Sequence, residues 1–406
     1  MTLKLPIYMD YSATTPCDPR VVEKMVPFFS ETFGNAASRN HSFGWAAESA
    51  VDVAREQVAE FVGASAKEIV WTSGSTEANN LAIKGAAEMY KSKGNHLITC
   101  VTEHKAVIDP MKHLEQRGYQ VTFLPVDQQG NIDLAELEAA ITDQTVLISL
   151  MAANNETGTR HRVEDIGKLA KERGVLFHCD ATQAAGKVPL DVDALGIDLM
   201  SLSAHKFYGP KGVGCLYVRR RRPRVRLTPI LDGGGHERGM RSGTLNVPGV
   251  VGMGEAARLC QKEMPTEIPR LGALRDRLDK GVFARIEDAV INGNPDYRLP
   301  HLTNISFPYV EGESLIMGVP DISVSSGSAC TSASLEPSYV LKAQGLNDEL
   351  AHSSMRFSLG RFNTDAEVDF TVDKVCSEVE RLREMSPLWE MVQEGIDLSK
   401  VKWTAH

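Results

Sequence analysis

Between Val58 and Tyr217, short apolar runs alternate with stretches in which apolar residues recur every three or four positions. The runs Ile69 to Thr72, His96 to Val101, Val121 to Leu124 and Val146 to Met151 predict buried strands, as do Gly174 to Cys179, Ile197 to Leu202 and Gly214 to Val218. Between them, amphipathic spacing predicts a helix from Thr76 and others over Ala106 to Arg117, Leu134 to Ile141 and Val163 to Arg173. Such alternation implies an α/β fold, a mostly parallel sheet covered by helices. A glycine-rich segment, Gly233 to Thr244, then leads into a long helical region beginning near Val250. After Asn292 come separate short strands and two more helices, which predict a smaller α+β domain. The expected division is 16–262 for the large domain and 263–406, joined by 1–15, for the small one.

With 406 residues, 42% hydrophobic and 24% charged, the chain has ample material for a large core. A net charge of -9 argues against general nucleic-acid binding. The run Arg219 to Arg226 reads as a solvated, edge-protecting stretch, with a docking site for an acidic partner as the alternative. Residues 1–15 lack the basic start and apolar core of a signal peptide, and no apolar run approaches the roughly 20 residues that cross a bilayer. A cytoplasmic protein without membrane attachment is expected. Seven cysteines without a C-x-x-C pair argue against a disulfide framework or a cysteine-based zinc site, and no metal site is expected. The common nucleotide and dinucleotide glycine motifs are missing, so any phosphate site is of another kind.

Two segments carry the candidate chemistry: Phe177-His178-Cys179-Asp180-Ala181-Thr182-Gln183 and Leu202-Ser203-Ala204-His205-Lys206. Each follows a predicted strand, so Asp180 and Lys206 project from strand ends of one sheet, where active sites of open α/β sheets lie. A lysine amine that can condense with an aldehyde, paired with a carboxylate that can keep a pyridine nitrogen protonated, is what pyridoxal phosphate requires. In Trp71-Thr72-Ser73-Gly74-Ser75-Thr76-Glu77 a strand turns into a helix whose free N–H groups favour a phosphate, and Ser75 and Thr76 can add hydroxyls. Ser203 and His205, flanking Lys206, can reach the same phosphate. His104, after the strand ending at Val101, can lie flat on the pyridine ring and pass protons. Asn155 and Gln183 are amides at neighbouring strand ends, suited to the ring hydroxyl and to a substrate carboxylate. Each of these alone is equally a turn or cap residue.

The quoted residues resemble those of the class V group of fold type I pyridoxal phosphate enzymes, and within it the cysteine desulfurases of the housekeeping iron-sulfur type. The resemblance spans nearly the whole chain. It includes Tyr8 to Pro16, T-E-H-K at 102–105, N-N-E-x-G at 154–158, D-A-T-Q at 180–183, S-A-H-K-x-Y-G-P-K-G at 203–212 and the glycine-rich segment. Ala204 departs from relatives that carry glycine there. The resemblance implies a homodimer in which Thr244 reaches the phosphate of the partner subunit's cofactor. It further implies conversion of L-cysteine to L-alanine, with Lys206 and His104 moving protons and Cys330 taking the sulfur as a persulfide.

Cys330 lies in Ser325 to Ser334, small polar residues without apolar period, which predicts an exposed loop able to carry a thiol in and out of a pocket. Cys100, Cys179 and Cys215 fall on predicted strands and Cys260 and Cys376 on helices, as small apolar side chains. Cys17 is read as structural. Arg356 matches the family's arginine for the amino-acid carboxylate, while chemistry alone leaves Arg361 as a competitor. The C-terminus, Ser386 to His406, carries Trp389 and Trp403, read either as docking onto its own domain or as an interface. The resemblance favours an interface for the iron-sulfur scaffold protein, one of several sulfur acceptors. An aminotransferase, a selenocysteine lyase, a nitrogenase-dedicated desulfurase and a scaffold that merely retains cofactor remain alternatives at this point.

Overall fold

Except for Val121 to Leu124 at the sheet edge, the apolar runs lie buried along nearly their full length because helices cover both faces of the sheet they form. The computed structural model describes residues 3–326 and 337–396. The chain opens with β1 (Ile7–Tyr8), α1 (Pro19–Met25), α2 (Pro27–Ser30) and α3 (Ser42–Phe61). The alternating region follows: β2 (Ile69–Thr72), α4 (Ser75–Met89), β3 (His96–Cys100), α5 (Lys105–Glu115), β4 (Gln120–Leu124) and α6 (Leu134–Ala140). It continues through β5 (Thr145–Met151), α7 (Val163–Arg173), β6 (Leu176–Asp180), β7 (Leu199–Ser203) and β8 (Gly214–Val218). Then come α8 (Val247–Phe283), β9 (Val290–Ile291), β10 (Leu302–Ser306), α9 (Gly312–Gly318), β11 (Ile322–Ser323) and β12 (Ser325–Ser326). The described chain closes with α10 (Tyr339–Ala343), α11 (Asp348–His352), β13 (Ser354–Ser358), α12 (Asp365–Glu384) and α13 (Pro387–Gln393).

The seven-stranded sheet has the order β2-β8-β7-β6-β5-β3-β4. β8 is antiparallel to both neighbours and the remaining pairs are parallel. β2, two antiparallel steps from β7, therefore points the same way as β7, and the C-terminal ends of β2, β3, β5, β6 and β7 share one edge. Side chains alternate between faces: Trp71, Ile148, Phe177 and Met200 join a core with α3, α7 and α8, while Val70, Leu97, Leu147 and Leu199 join one with α4 and α5.

Element ends differ from the sequence expectation where a cap intervenes. Gly174, expected to open a strand, is the left-handed C-cap of α7 at φ 67°, and β6 starts at Leu176. Asn246 accepts the Gly249 N–H and starts α8 at Val247. The pattern read along the chain gives no element before Val58, yet α3 occupies that stretch and packs Ala47, Val51 and Ala54 into the large core.

Helix α8 contributes to two cores. Val250, Met253, Ala257 and Cys260 join the large one. Leu271, Leu274, Leu278 and Val282 join a second with Ile305, Phe307, Phe357, Val368 and Val375. That second core backs the antiparallel sheet β12-β13-β10-β9. Ile7 and Met9 also belong to it, and β1 pairs with β11. From there the N-terminal segment crosses to the turn after β7, where the Thr15 N–H donates to the His205 carbonyl at 2.8 Å.

Candidate active site

At the shared strand edge the loops enclose a cavity of about 320 Å³, and most of the predicted site residues line it. Asp180 ends β6. Its Oδ1 accepts the Thr182 N–H at 3.0 Å and its Oδ2 accepts Asn79 Nδ2 at 2.7 Å, which fixes the carboxylate's orientation. Lys206, just past β7, donates its ammonium to the carbonyls of Ser12 and, at 2.8 Å, Ala13. Gln183 Nε2 donates to the same Ser12 carbonyl at 3.0 Å. Ser12 and Ala13, which the sequence reading does not single out, thus form the wall opposite the lysine.

His104 is the N-cap of α5, and its Nδ1 accepts the Ala106 N–H at 3.1 Å. The hydrogen of the neutral ring therefore sits on Nε2. Burial lowers its pKa against the pull of Asp180, and Lys206 adds to the lowering, so the ring is neutral at physiological pH. His205 shares a hydrogen bond of 3.0 Å between Nδ1 and Thr14 Oγ1. Its pKa is pushed down to about 4, first by burial and then by Lys206 and Lys211.

Ser75 and Thr76 occupy the first turn of α4, whose N-cap Gly74 supplies no side-chain bond. Their hydroxyls are not consumed in capping. A Cβ on Gly74 would sit 3.7 Å from Ser203 Oγ, so the turn faces the buried end of β7. Thr244 does not line this cavity; it is exposed on the glycine-rich segment. That segment is anchored beneath the turn. Glu237 accepts two bonds from Arg55, at 2.7 and 2.8 Å, and Arg241 Nε donates to Glu77 Oε1 at 2.8 Å.

Arg356, on β13, is 2% exposed and lines the cavity. Its Nη1 donates to the Asn155 carbonyl at 2.9 Å and its Nη2 pairs with Asp10 Oδ1 at 2.7 Å. Arg361 is elsewhere. It pairs with Asp18 at 2.7 Å and with Glu263 and Glu267 at 3.1 Å, and its guanidinium lies 4.1 Å from the Tyr208 ring centre. Of the two arginines, Arg356 lines the cavity and Arg361 does not.

Two buried carboxyls also escape the sequence reading. Burial raises the Glu103 pKa well above the ordinary value, and its Oε1 accepts the Met151 N–H at 2.7 Å. Glu156 is pushed up to about 7 by burial, opposed by its bond from Ser338 and by Arg356. Both stand in motifs, T-E-H-K and N-N-E-x-G, but their burial depends on tertiary packing.

Cys330 lies outside the described residues. Burial raises the thiols of Cys100, Cys179, Cys215, Cys260 and Cys376, and also that of half-buried Cys17, so none of these six is poised as a thiolate. In the basic run, Arg219 pairs with Asp198 at 2.7 Å and Arg221 with Asp193, while Arg222, Arg224 and Arg226 are exposed. Trp389 packs against Tyr309 and Arg383, its ring 5.5 Å from that of Tyr309 and 4.4 Å from the Arg383 guanidinium. Trp403 lies outside the described residues. Among the described residues no helix is long and apolar enough to cross a membrane.

The cavity fits pyridoxal phosphate. It offers a lysine amine, a fixed carboxylate, a neutral imidazole, two hydroxyls at a helix N-terminus and, in Thr182, a buried hydroxyl lining the cavity without a hydrogen-bond partner. Residues 7–370 match the class V aminotransferase family. A protein named cysteine desulfurase IscS from Anaeromyxobacter sp. (strain Fw109-5) is 62% identical over 401 residues, 99% of each chain. The chain belongs to the class V aminotransferases, among the cysteine desulfurases. A second protein of the same name, from Pectobacterium carotovorum, is 59% identical over 406 residues and 100% of both chains. A solved structure described as a NifS-like protein superimposes with a TM-score of 0.86 at 38% identity, covering 93% of this chain and 100% of that one. The fold is accordingly that of the fold type I enzymes, and pyridoxal phosphate is the family's cofactor.

Proposed function

We propose that the protein is a cysteine desulfurase that converts L-cysteine to L-alanine and receives the sulfur on Cys330 as a persulfide. The observation that carries this reading is one cavity lined by Lys206, Asp180, His104 and Arg356, in a chain 62% identical to a named desulfurase over 99% of its length. Pyridoxal phosphate, when bound, withdraws electrons from the substrate's Cα. Lys206 would hold the cofactor's aldehyde carbon, Asp180 its pyridine nitrogen, and Ser75, Thr76, Ser203 and His205 its phosphate. Asn155 and Gln183 would bond the ring hydroxyl and orient the substrate, and Arg356 would hold the substrate carboxylate. Once the substrate amine has displaced it, the Lys206 amine takes the proton from Cα, with the neutral His104 ring within the same cavity to relay it. The Cys330 thiolate attacks the substrate sulfur, the carbon–sulfur bond breaks with its electron pair on carbon, and protonation of that carbon together with return of a proton from Lys206 to Cα completes alanine.

The arrangement supports further parts of the reading. The glycine-rich segment, held by Glu237 and Arg241, presents Thr244 outward, as a homodimer sharing Thr244 with the partner subunit's cofactor requires. The two cores support a large domain, 16–262, and a small one, 263–406 with 1–15. Residues beyond Trp389 would dock the iron-sulfur scaffold protein, and other sulfur acceptors would also be served, in the cytoplasm. Borohydride reduction followed by peptide mapping tests the cofactor assignment: label on Lys206 supports it, and label on a different lysine, or on none, contradicts it.

A further inference from the structure

Arg356 faces the cavity with its charge already answered. Its Nη2 is 2.7 Å from Asp10 Oδ1, its Nη1 donates to the Asn155 carbonyl at 2.9 Å, and its buried Nε has no partner. The other oxygen of Asp10 accepts Ser325 Oγ at 2.8 Å, so the carboxylate is held from both sides. A two-point contact with an incoming carboxylate uses two adjacent N–H groups of the guanidinium, and every such pair includes an Nη nitrogen. Each Nη has one of its two N–H groups engaged, one by a carbonyl and the other by a carboxylate, so an incoming carboxylate takes remaining N–H groups beside Asp10 and shares the guanidinium's charge with it.

Other charges near the arginine do not change this balance. Glu156 acts on Arg356 electrostatically, but its burial keeps it largely neutral up to about pH 7. Lys206 lines the same cavity. Asp10 is thus the charged group in direct contact with the guanidinium, and a buried arginine needs such a counter-charge.

We propose that Asp10 is a resident competitor for the substrate carboxylate at Arg356. It neutralises the arginine and yields part of the guanidinium when an amino acid enters. The competition keeps carboxylate binding moderate for L-cysteine and for the product L-alanine alike, so that product leaves. This inference rests on the reading of Arg356 as the carboxylate site. Asp10 acts on the substrate carboxylate through Arg356 and takes no part in proton transfer.

The test is binding of L-alanine to the holoenzyme, read from the change in cofactor absorption, beside binding of ethylamine, which lacks the carboxylate. Asp10→Asn keeps an oxygen to accept from Nη2 but removes the charge. It is expected to tighten L-alanine about tenfold and leave ethylamine unchanged. Ser325→Ala, which only loosens the Asp10 carboxylate, is expected to act in the same direction by about two- to threefold, and serves if Asp10→Asn does not fold. Unchanged or weaker L-alanine binding in the folded variants would overturn the proposal, since a purely orienting Asp10 predicts no gain. Arg356→Ala separates the two claims: if it binds L-alanine as wild type does, the carboxylate site itself is misassigned; if it loses binding while the other variants match wild type, only the competitor role fails.

Discussion

Asn79, on the inner face of α4, donates its amide to Asp180 Oδ2 at 2.7 Å. The helix whose first turn carries Ser75 and Thr76 therefore also supports the carboxylate at the opposite end of the cofactor cradle. Asn79→Leu removes that donor and is expected to lower kcat/KM about tenfold or more, because a hydrogen bond to a charged acceptor is lost from a buried site. Cofactor retention on dialysis should fall in parallel. A variant with wild-type retention and wild-type kcat/KM would show that Thr182 alone fixes Asp180.

Arg356 and Arg361 are five residues apart and should fail in different ways. Arg356→Ala is expected to raise the KM for L-cysteine about a hundredfold, and by unpairing Asp10 it also costs some stability. Arg361→Ala leaves Asp18, Glu263 and Glu267 without their shared cation and is expected to cost about 3–5 kcal/mol of stability instead. Steady-state kinetics together with thermal melts separate the two, and the reverse pattern would overturn the assignment.

Much of this was legible in the sequence because the signals were local. Strands β2 and β8 and helix α7 have the residues their apolar patterns predict, and Lys206 and Asp180 emerge at strand ends that a single sheet must bring together. Helix α3 carries a readable period at Ala47, Val51, Ala54 and Val58, but lies before the alternation begins. What stayed hidden depends on partners distant in sequence. Asp10 reaches Arg356 across 346 positions, Asn79 reaches Asp180 across 101, and the Ser12 carbonyl meets Lys206 across 194. An asparagine within a helix or a carbonyl in an N-terminal loop carries no mark of such a contact.

His178 lies fully buried between Ser149 Oγ at 2.8 Å and Ser201 Oγ at 2.9 Å, and burial pushes its pKa down to about 4. In the unfolded chain it titrates near 6.5, so between those values the unfolded state binds more protons. Its stabilising contribution is present above about pH 6.5 and is lost as the pH falls toward 4. His178→Gln should therefore show a flatter dependence of stability on pH across that window, as measured by urea unfolding. A slope equal to that of wild type would mean that the ring is protonated in the folded protein.

Because Trp389 is clamped by Arg383 and Tyr309, deletion of residues 390–406 leaves this stack in place. Cofactor content and alanine production with a small thiol should stay near normal while scaffold binding weakens, as read by pull-down beside an alanine assay on one sample. Loss of alanine production would make the tail part of the catalytic body, and unchanged scaffold binding would place the docking surface elsewhere.

The most direct measurement is to incubate the purified holoenzyme with L-cysteine and a reducing thiol and to quantify alanine and sulfide in the same sample. The two products should form at about one to one, and Cys330→Ser should retain cofactor colour and L-alanine binding while making almost none of either. Wild-type turnover by Cys330→Ser, or release of a keto acid in place of alanine, would contradict the assignment.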